Sequence, residues 1–238
     1  MDRIVPSLMI IDTVECWLRL SRPLIAGEAT LLRGFFGSAF EEEVLLHHHR
    51  PGGGLVYDYP RVQFKVLDRT GHLIALAEGC PLVTRIWTEV DHARVGVEDL
   101  TILESGLTRR REALGEADQP ITYRFRTPWL ALNQENHMRY RQLTDPVERT
   151  VLLERILIGN CLSIAKAFGH RVTAQLVADA SGLRPWCSRL KGVEMVSFLG
   201  TFRINFQLPE RIGLGKSVSR GFGTVERQER RCEGRYAH

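Results

Sequence analysis

The sequence predicts an α+β fold made of two sheet domains in tandem, and three patterns support this prediction. Hydrophobic periodicity in the first half gives the element order β-α-β-β-α-β, which is the ferredoxin-like arrangement with both helices on one face of a sheet. The second half contains a strand, a long amphipathic helix and a further strand, and is a candidate degenerate copy of the first. A glycine-rich loop follows that last strand.

The elements of the first half follow from alternation and helical spacing. Residues 12–20 form the first predicted strand, with one apolar face made of Val14, Cys16, Leu18 and Leu20. A helix is predicted over residues 29–46, a hairpin over residues 60–68 and 73–77, a second helix from Pro81, and a strand over residues 100–107.

A polar loop at residues 113–120 is the best candidate boundary, so we expect domains at residues 1–118 and 119–238. A strand at 121–127 follows, and then a helix with Asp145 as its cap, Pro146 in its first turn and Gly169 at its end. Its predicted apolar stripe is Val147, Val151, Ile158, Leu162 and Ala165. The last predicted strand buries Phe198, Gly200, Phe202, Ile204 and Phe206.

Composition indicates a soluble globular protein, because 44% of residues are hydrophobic and 25% are charged, with no apolar run long enough for a membrane span. A cytoplasmic location is the default expectation. The five cysteines are widely spaced and odd in number, so we expect free thiols and no disulfide framework. Residues 189–238 carry ten Lys and Arg against five Glu, a basic surplus that favours a nucleic-acid partner.

The glycine segment, residues 211–226 (RIGLGKSVSRGFGTVE), is the most informative stretch. Glycines permit positive φ angles and leave backbone N–H groups accessible, and cationic and hydroxyl side chains alternate with them, a composition suited to phosphate. A plain glycine-rich turn is the alternative. The candidate binding residues are Gly213, Gly215, Lys216, Ser217, Ser219, Arg220, Gly221 and Gly223.

Two common phosphate motifs do not fit this segment. A P-loop requires glycine five positions before Gly215, where this chain has Glu210. A dinucleotide fingerprint starting at Gly213 requires glycine at Val218 and a following βαβ unit, and both are missing. Nucleotide hydrolysis is therefore disfavoured, and an RNA backbone remains the better candidate anion.

Further candidates lie on the predicted strand at 121–127 and after the first helix. Arg124 and Arg126 share one strand face, which is either a solvated face or a surface for RNA.

His47, His48 and His49 lie between a helix end and a glycine-rich turn. Histidine suits general acid-base work near neutral pH, although a solvated helix end is the simpler interpretation. Adjacent residues cannot converge on one metal ion, so no metal site is expected.

The chain resembles the CRISPR-associated endoribonucleases of the RAMP superfamily, which process precursor CRISPR RNA. The resemblance covers nearly the whole chain, and its most specific element is the glycine segment with the following strand. The motifs that carry it are LRGFFGSAF (32–40), HHH (47–49), YPRVQFKV (59–66), YRFRTPWLALNQEN (123–136), LLERILIGN (152–160) and IGLGKSVSRGFG (212–223).

The resemblance implies two tandem ferredoxin-like, RRM-like domains whose cleft and glycine loop receive repeat RNA. It implies metal-independent cleavage without a cofactor, leaving a 2′,3′-cyclic phosphate and a 5′-hydroxyl. The family's catalytic histidine corresponds to His47, His48 or His49, with His47 and His49 favoured. Other subunits of a CRISPR effector are possible partners, and a monomer or homodimer is expected.

One departure from the family concerns the charge that supports catalysis. Some members use a tyrosine on the first helix and a lysine soon after the histidine, whereas this chain has Phe35, Phe36 and Arg50. Arg50, Lys65 or Lys216 could supply the positive charge instead, and all three are candidate RNA-binding residues. Because some RAMP proteins bind RNA without cutting it, a non-catalytic RNA-binding subunit is the alternative.

Overall fold

The structure is a computed structural model that describes residues 7–47, 59–190 and 192–228. Within these ranges the chain forms one antiparallel sheet with helices packed against it. The strands are β1 (Leu8–Leu20), β2 (Val62–Leu67), β3 (Thr70–Leu76), β4 (His92–Val95), β5 (Glu98–Trp129), β6 (Ala178–Asp179), β7 (Leu183–Leu190), β8 (Val193–Gln207) and β9 (Val225–Arg227). The helices are α1 (Ala29–Ala39), α2 (Val44–His47), α3 (Cys80–Glu89), α4 (Gln134–Gln142) and α5 (Pro146–Ala167).

The first domain has the predicted ferredoxin-like order. Its strands lie in the order β2-β3-β1-β5, with antiparallel neighbours throughout, and α1 and α3 cover one face. The hairpin turns at Asp68 and Arg69, whose φ angles of 49° and 66° match the twist of the flanking strands. All four apolar residues predicted for one face of β1 are buried in this domain's core.

The second domain has the same strand order, but the glycine segment replaces its second helix. Strand β9 pairs with the C-terminal half of β5, which pairs with β8, and β8 pairs with β6 and β7. Helix α5 occupies the position of the first helix of a ferredoxin-like unit. The glycine segment joins β8 to β9, where the second helix would stand.

The predicted polar loop at residues 113–120 is wrong, because these residues belong to β5, which runs through both domains. Its partner changes from β1 to β8 around Gly115, and the pairing with β8 is irregular between Glu116 and Ile121. Strands on both sides of β5 impose an extended backbone on a polar stretch of weak strand propensity. A division near residue 118 remains a proposal, and it would fall inside a strand.

The single helix predicted over residues 29–46 is also corrected. Helix α1 ends at Ala39, and α2 begins at Val44 after a turn. Glu42 and Glu43 lie between the two helices. They form ion pairs with Arg85 of α3 at 3.1 and 2.9 Å. The break therefore allows two carboxylates to reach a cation on the neighbouring helix.

Helix α5 begins as predicted but buries a different face. The Asp145 side chain accepts a hydrogen bond from the backbone of Val147 at 2.8 Å, and Gly169 follows the helix with a φ of 71°. The predicted stripe is wrong in part, because Val147, Val151 and Leu162 are exposed. The buried face consists of Leu152, Leu153, Leu157, Cys161, Ile164 and Ala165.

Each domain has its own hydrophobic core, and the second core extends into the first domain. Ile11 of β1 and Ile74 and Leu76 of β3 pack into the cluster that also contains α5 and β8. The described cysteines at 16, 80, 161 and 187 are free thiols. In the described ranges, none of the helices is long and apolar enough to cross a bilayer.

A buried carboxylate connects the first sheet to the start of the glycine segment. Glu15 of β1 accepts hydrogen bonds from His72 Nδ1 at 2.9 Å, from Arg110 Nη1 at 3.2 Å and from Arg211 Nη1. Burial raises the pKa of Glu15, but the hydrogen bond from His72 and the charge of Arg211 outweigh it and lower the pKa to about 2. The ionised carboxylate therefore stabilises the contact between β1 and the glycine segment.

We expect Glu15 to make the stability of this protein depend on pH in the acid range. Because its pKa is lower in the folded chain than in the unfolded chain, its contribution of about 3 kcal/mol is present at neutral pH. That contribution decreases as the pH falls from about 4.5 toward 2. Urea unfolding of the wild type and Glu15→Gln across this range measures it.

The Glu15→Gln variant should be less stable at pH 7 and should lose less stability than the wild type on acidification. Glu41→Gln, which changes an exposed acid in the same domain, serves as the control and should follow the wild type. Equal pH slopes for the wild type and Glu15→Gln would contradict this role of Glu15.

Candidate RNA-binding site and catalytic region

The glycine segment lies against β2 of the first domain. Gly213 N donates to Gln63 Oε1 at 2.9 Å, and Phe64 N donates to the Ser219 carbonyl at 3.4 Å. Lys65 Nζ donates to the Val218 carbonyl at 3.0 Å. Consecutive residues of β2 thus bind the segment along its length.

The same segment is also tied to the C-terminal end of β5. Gly223 N donates to the Pro128 carbonyl at 2.9 Å, and Lys216 N donates to the Leu130 carbonyl at 3.1 Å. A Cβ atom at Gly223 would overlap the Leu214 carbonyl oxygen, and its φ of 65° also favours glycine. Glycine at this position is required for the segment to fold back on itself.

These hydrogen bonds show that the segment is not the freely accessible loop that its composition suggested. Several of the backbone N–H groups predicted to meet phosphate already donate to protein acceptors, including those of Gly213, Lys216, Arg220, Gly221 and Gly223. Ser219 is buried, whereas Ser217 and Arg220 are half-buried and Lys216 is exposed. The side chains of Lys216, Ser217 and Arg220 are therefore the parts best placed to contact a ligand.

Lys65 requires a correction, because it was expected to present its charge to RNA. Its side chain is fully buried beneath the glycine segment and hydrogen bonds to Val218. Burial lowers the pKa of Lys65 to about 7. This residue supports the segment from below and has no access to a ligand in this structure.

Lys216 lies at the rim of a polar groove, the Lys216 groove, between α4, α5 and the glycine segment. The cavity measures about 580 Å³. Arg139 and Arg155 also line it with exposed side chains, so three cations face one cavity. Its amide-bearing residues are Asn133, Asn136 and Asn160.

Sequence reasoning missed Arg139 and Arg155. Arg155 lies next to Glu154 within the mostly apolar stretch LLERILIGN, and a charged pair there was a usable signal. Arg139 belongs to α4, a short and strongly polar helix capped by Asn133, whose side chain accepts from Asn136 N at 2.7 Å. No periodic pattern predicts that these two helices would face Lys216.

Arg124 and Arg126 lie on the face of β5 opposite its buried aromatic residues, as alternation predicted, but they differ from each other. Arg124 is exposed and stands opposite Thr201 of β8. Arg126 pairs with Asp68 at 2.7 Å and with Glu226 at 3.1 Å. Two carboxylates already offset the charge of Arg126, so Arg124 is the more available cation on this face.

The catalytic candidates begin at the end of α2. His47 is the last residue of that helix, and its preceding residue, Leu46, is buried. The Leu46 carbonyl accepts a hydrogen bond from Arg33 Nη2 at 3.1 Å. His48, His49 and Arg50, and the side chain of His47, lie outside the residues that the structure describes.

Helix α1 connects this region with the glycine segment. A Cβ atom at Gly221 would stand 2.8 Å from Ala29 Cβ, so the segment contacts the start of α1 directly. Arg33 is one turn further along the same helix face. The end of α2 and the glycine segment are thus brought together through α1, although they are far apart in sequence. In the described part of the chain, no group of three or more His, Cys, Asp or Glu could hold a metal ion.

Comparison with known proteins identifies the family to which this architecture belongs. Models of the Cas6b N-terminal domain and the Cas6b C-terminal domain match residues 9–113 and 115–228. A crystal structure of Cas6b is 31% identical, covering 92% of this chain and 100% of that chain, with a TM-score of 0.85. A second, described as the CRISPR RNA processing endoribonuclease Cas6b, is 28% identical with the same coverage and a TM-score of 0.75.

Other similar proteins extend this result. An uncharacterized protein of Methanocaldococcus jannaschii is 38% identical over 118 residues, which is 50% of this chain and 80% of that protein. A type IV Cas6 crRNA endonuclease, Csf5, is 14% identical, covers 93% of this chain and 100% of that chain with a TM-score of 0.52, and shares the fold. The matches confirm the resemblance to CRISPR-associated RAMP proteins and the tandem ferredoxin-like fold. The chain belongs to the Cas6b family.

Proposed function

We propose that this protein is a metal-independent endoribonuclease that cleaves precursor CRISPR RNA within its repeats. Family membership supports RNA processing, since one similar structure is described as a CRISPR RNA processing endoribonuclease. The observation that carries the proposal is the contact of the glycine segment with α1, which also contacts the end of α2 through Arg33 and Leu46. In this proposal the segment binds RNA, and the triple histidine that begins at the end of α2 supplies the acid-base groups.

The proposed reaction needs only proton transfer and charge stabilisation. One histidine of His47, His48 and His49 removes the proton from the ribose 2′-hydroxyl, whose oxygen attacks the adjacent phosphorus. The bond to the 5′-oxygen breaks, and that oxygen receives a proton from a second group or from water. The products are a 2′,3′-cyclic phosphate and a 5′-hydroxyl.

The proposed path of the RNA follows the exposed cations of the second domain. The Lys216 groove has three cations for phosphates and amide groups for polar atoms of bases or sugars. From Lys216 the glycine segment leads toward Arg220 and α1. Repeat RNA would thus bind across the segment, with its scissile position on the side of the histidines. We also propose that the protein is a monomer or a homodimer and that it associates with other CRISPR subunits.

Cleavage of a cognate repeat RNA in the presence of EDTA tests the proposed chemistry. We expect the purified protein to cut the RNA in EDTA and to leave a substrate with a 2′-deoxy group at the scissile position intact. Replacing His47, His48 and His49 singly by alanine should abolish cleavage at one position or more, with little loss of RNA affinity. His92→Ala, an exposed histidine in the same domain, is the control and should cut normally.

Three outcomes of this experiment would count against the proposal. A requirement for a divalent ion would contradict the metal-independent mechanism. Three active histidine variants would contradict the catalytic assignment. Tight binding of uncut RNA, under conditions where a control ribonuclease cuts, would favour a non-catalytic RNA-binding subunit instead.

We expect Lys216→Ala to weaken RNA binding by removing one phosphate contact. The slope of log K against log salt concentration should become less steep by about 0.7, which corresponds to one counterion for single-stranded RNA. Arg94→Ala removes an exposed arginine from β4 of the first domain and should leave both affinity and slope unchanged. Fluorescence anisotropy with uncleavable 2′-deoxy repeat RNA measures both, and an unchanged slope for Lys216→Ala would contradict its contact with phosphate.

A further inference from the structure

Two arginines from distant parts of the chain lie near each other, one on α1 and one in the glycine segment. Arg33 projects from α1, and Arg220 precedes Gly221, the residue that contacts Ala29 one turn before Arg33. Phe64 of β2 forms a parallel bridge with Arg220, which fixes this part of the glycine segment against the first domain. These backbone contacts bring the two residues close together, and the charge of Arg220 acts on Arg33.

Arg33 is only partly satisfied by the protein. Its Nη2 donates to the Leu46 carbonyl at 3.1 Å, whereas its buried Nε donates to no acceptor among the described residues. Burial and the nearby charge of Arg220 both lower the pKa of Arg33. The Nε–H group of Arg33 therefore lacks a hydrogen-bond acceptor among the described residues, and the surroundings destabilise the charged form of its guanidinium group.

Two other half-buried arginines of this protein, unlike Arg33, form ion pairs with carboxylates. Arg22 pairs with Glu28 and Glu98, and Arg126 pairs with Asp68 and Glu226. Within the described ranges, neither Arg33 nor Arg220 forms an ion pair with a carboxylate. Two neighbouring cations without a carboxylate repel each other, and an anion between them would relieve that repulsion.

We propose that Arg33 and Arg220 together bind one phosphate group of the RNA, the phosphate at which cleavage occurs. This inference rests on the proposed function, because it takes the RNA to be the substrate. The guanidinium fork suits a phosphate, and both arginines are half-buried, so part of each side chain remains accessible to one. Arg33 is hydrogen-bonded to the Leu46 carbonyl, one residue before His47, so a phosphate bound by Arg33 would lie near the end of α2.

This assignment supplies the positive charge that the sequence left unassigned. Lys65 is buried, and Lys216 faces the groove beside α4 and α5. Arg220 belongs to the glycine segment, and Arg33 contacts the end of α2. They transfer no proton; they stabilise the additional negative charge on the phosphate oxygens as the bond to the 2′-oxygen forms.

A double-mutant cycle tests whether the two arginines share one phosphate. The affinity of uncleavable 2′-deoxy repeat RNA is measured for the wild type, Arg33→Gln, Arg220→Gln and the double variant. If one phosphate bridges both residues, each single change weakens binding about 10-fold and the double variant is little weaker than either. Multiplicative losses would mean that they contact different phosphates, and unchanged affinities would mean that they contact none. Either result overturns the inference.

Arg85→Gln is a matched control for the loss of a half-buried arginine. Arg85 also lies on a helix of the first domain and has a buried Nε atom without an acceptor in the described chain, but it pairs with Glu42 and Glu43. This variant should bind RNA as the wild type does. Arg33→Lys keeps the charge without the fork, and thermal unfolding of each variant shows whether it is folded.

Single-turnover cleavage of unmodified repeat RNA separates this inference from the proposed function. With RNA saturating, we expect Arg33→Gln to cut about 100-fold more slowly than the wild type, Arg33→Lys to recover part of that rate, and Arg85→Gln to cut normally. If the wild type binds RNA but never cuts, the nuclease proposal fails while the binding cycle still decides the shared phosphate. If the wild type cuts and Arg33→Gln cuts equally fast, only the present inference fails.

Discussion

The packing of the glycine segment on β2 is the interaction on which the functional arrangement depends. A ferredoxin-like sheet carries helices on one face and leaves the other face open, and here the segment covers part of that open face. The buried amine of Lys65 depends on this contact, because it has little access to water and donates to the Val218 carbonyl of the segment. An amine buried without that hydrogen bond would be costly, so the segment and β2 stabilise each other.

This packing explains why the two domains act as one unit. The segment belongs to the second domain by sequence, yet its hydrogen bonds reach β2, and Glu15 of β1 binds Arg211 at its start. Arg126 adds an ion pair to Asp68 at the hairpin turn of the first domain. The side chains of the glycine segment that we propose to bind RNA are therefore held next to α1 and β2 of the other domain.

Local patterns predicted most of the fold, and long-range contacts account for what they missed. Alternation identified the buried face of β1, and the Asp145 cap located the start of α5, because both signals lie within a few residues. The buried face of α5 was predicted wrongly in part because that helix has apolar residues on adjoining faces, and only the sheet selects between them. The continuity of β5 was missed because its polar central residues are held extended by β1 and β8.

The candidate site shows the same limit. The composition of the glycine segment indicated an anion, but its hydrogen bonds to β2 and β5 could not be predicted from glycine spacing. Lys65 was a candidate RNA-binding residue, but it is buried because a segment distant in sequence covers it. Arg33 gave no signal in the sequence, since one arginine on a helix is ordinary until its neighbours are known.

The central claim is that the glycine segment presents the scissile phosphate of repeat RNA to the region around the triple histidine. A crystal structure of the protein with an uncleavable 2′-deoxy repeat RNA tests it most directly. The account predicts that the scissile phosphate lies within hydrogen-bonding distance of Arg33 and Arg220, with a histidine from positions 47 to 49 near the 2′ position. A scissile phosphate bound in the Lys216 groove, or on the Arg124 face of β5, would contradict it.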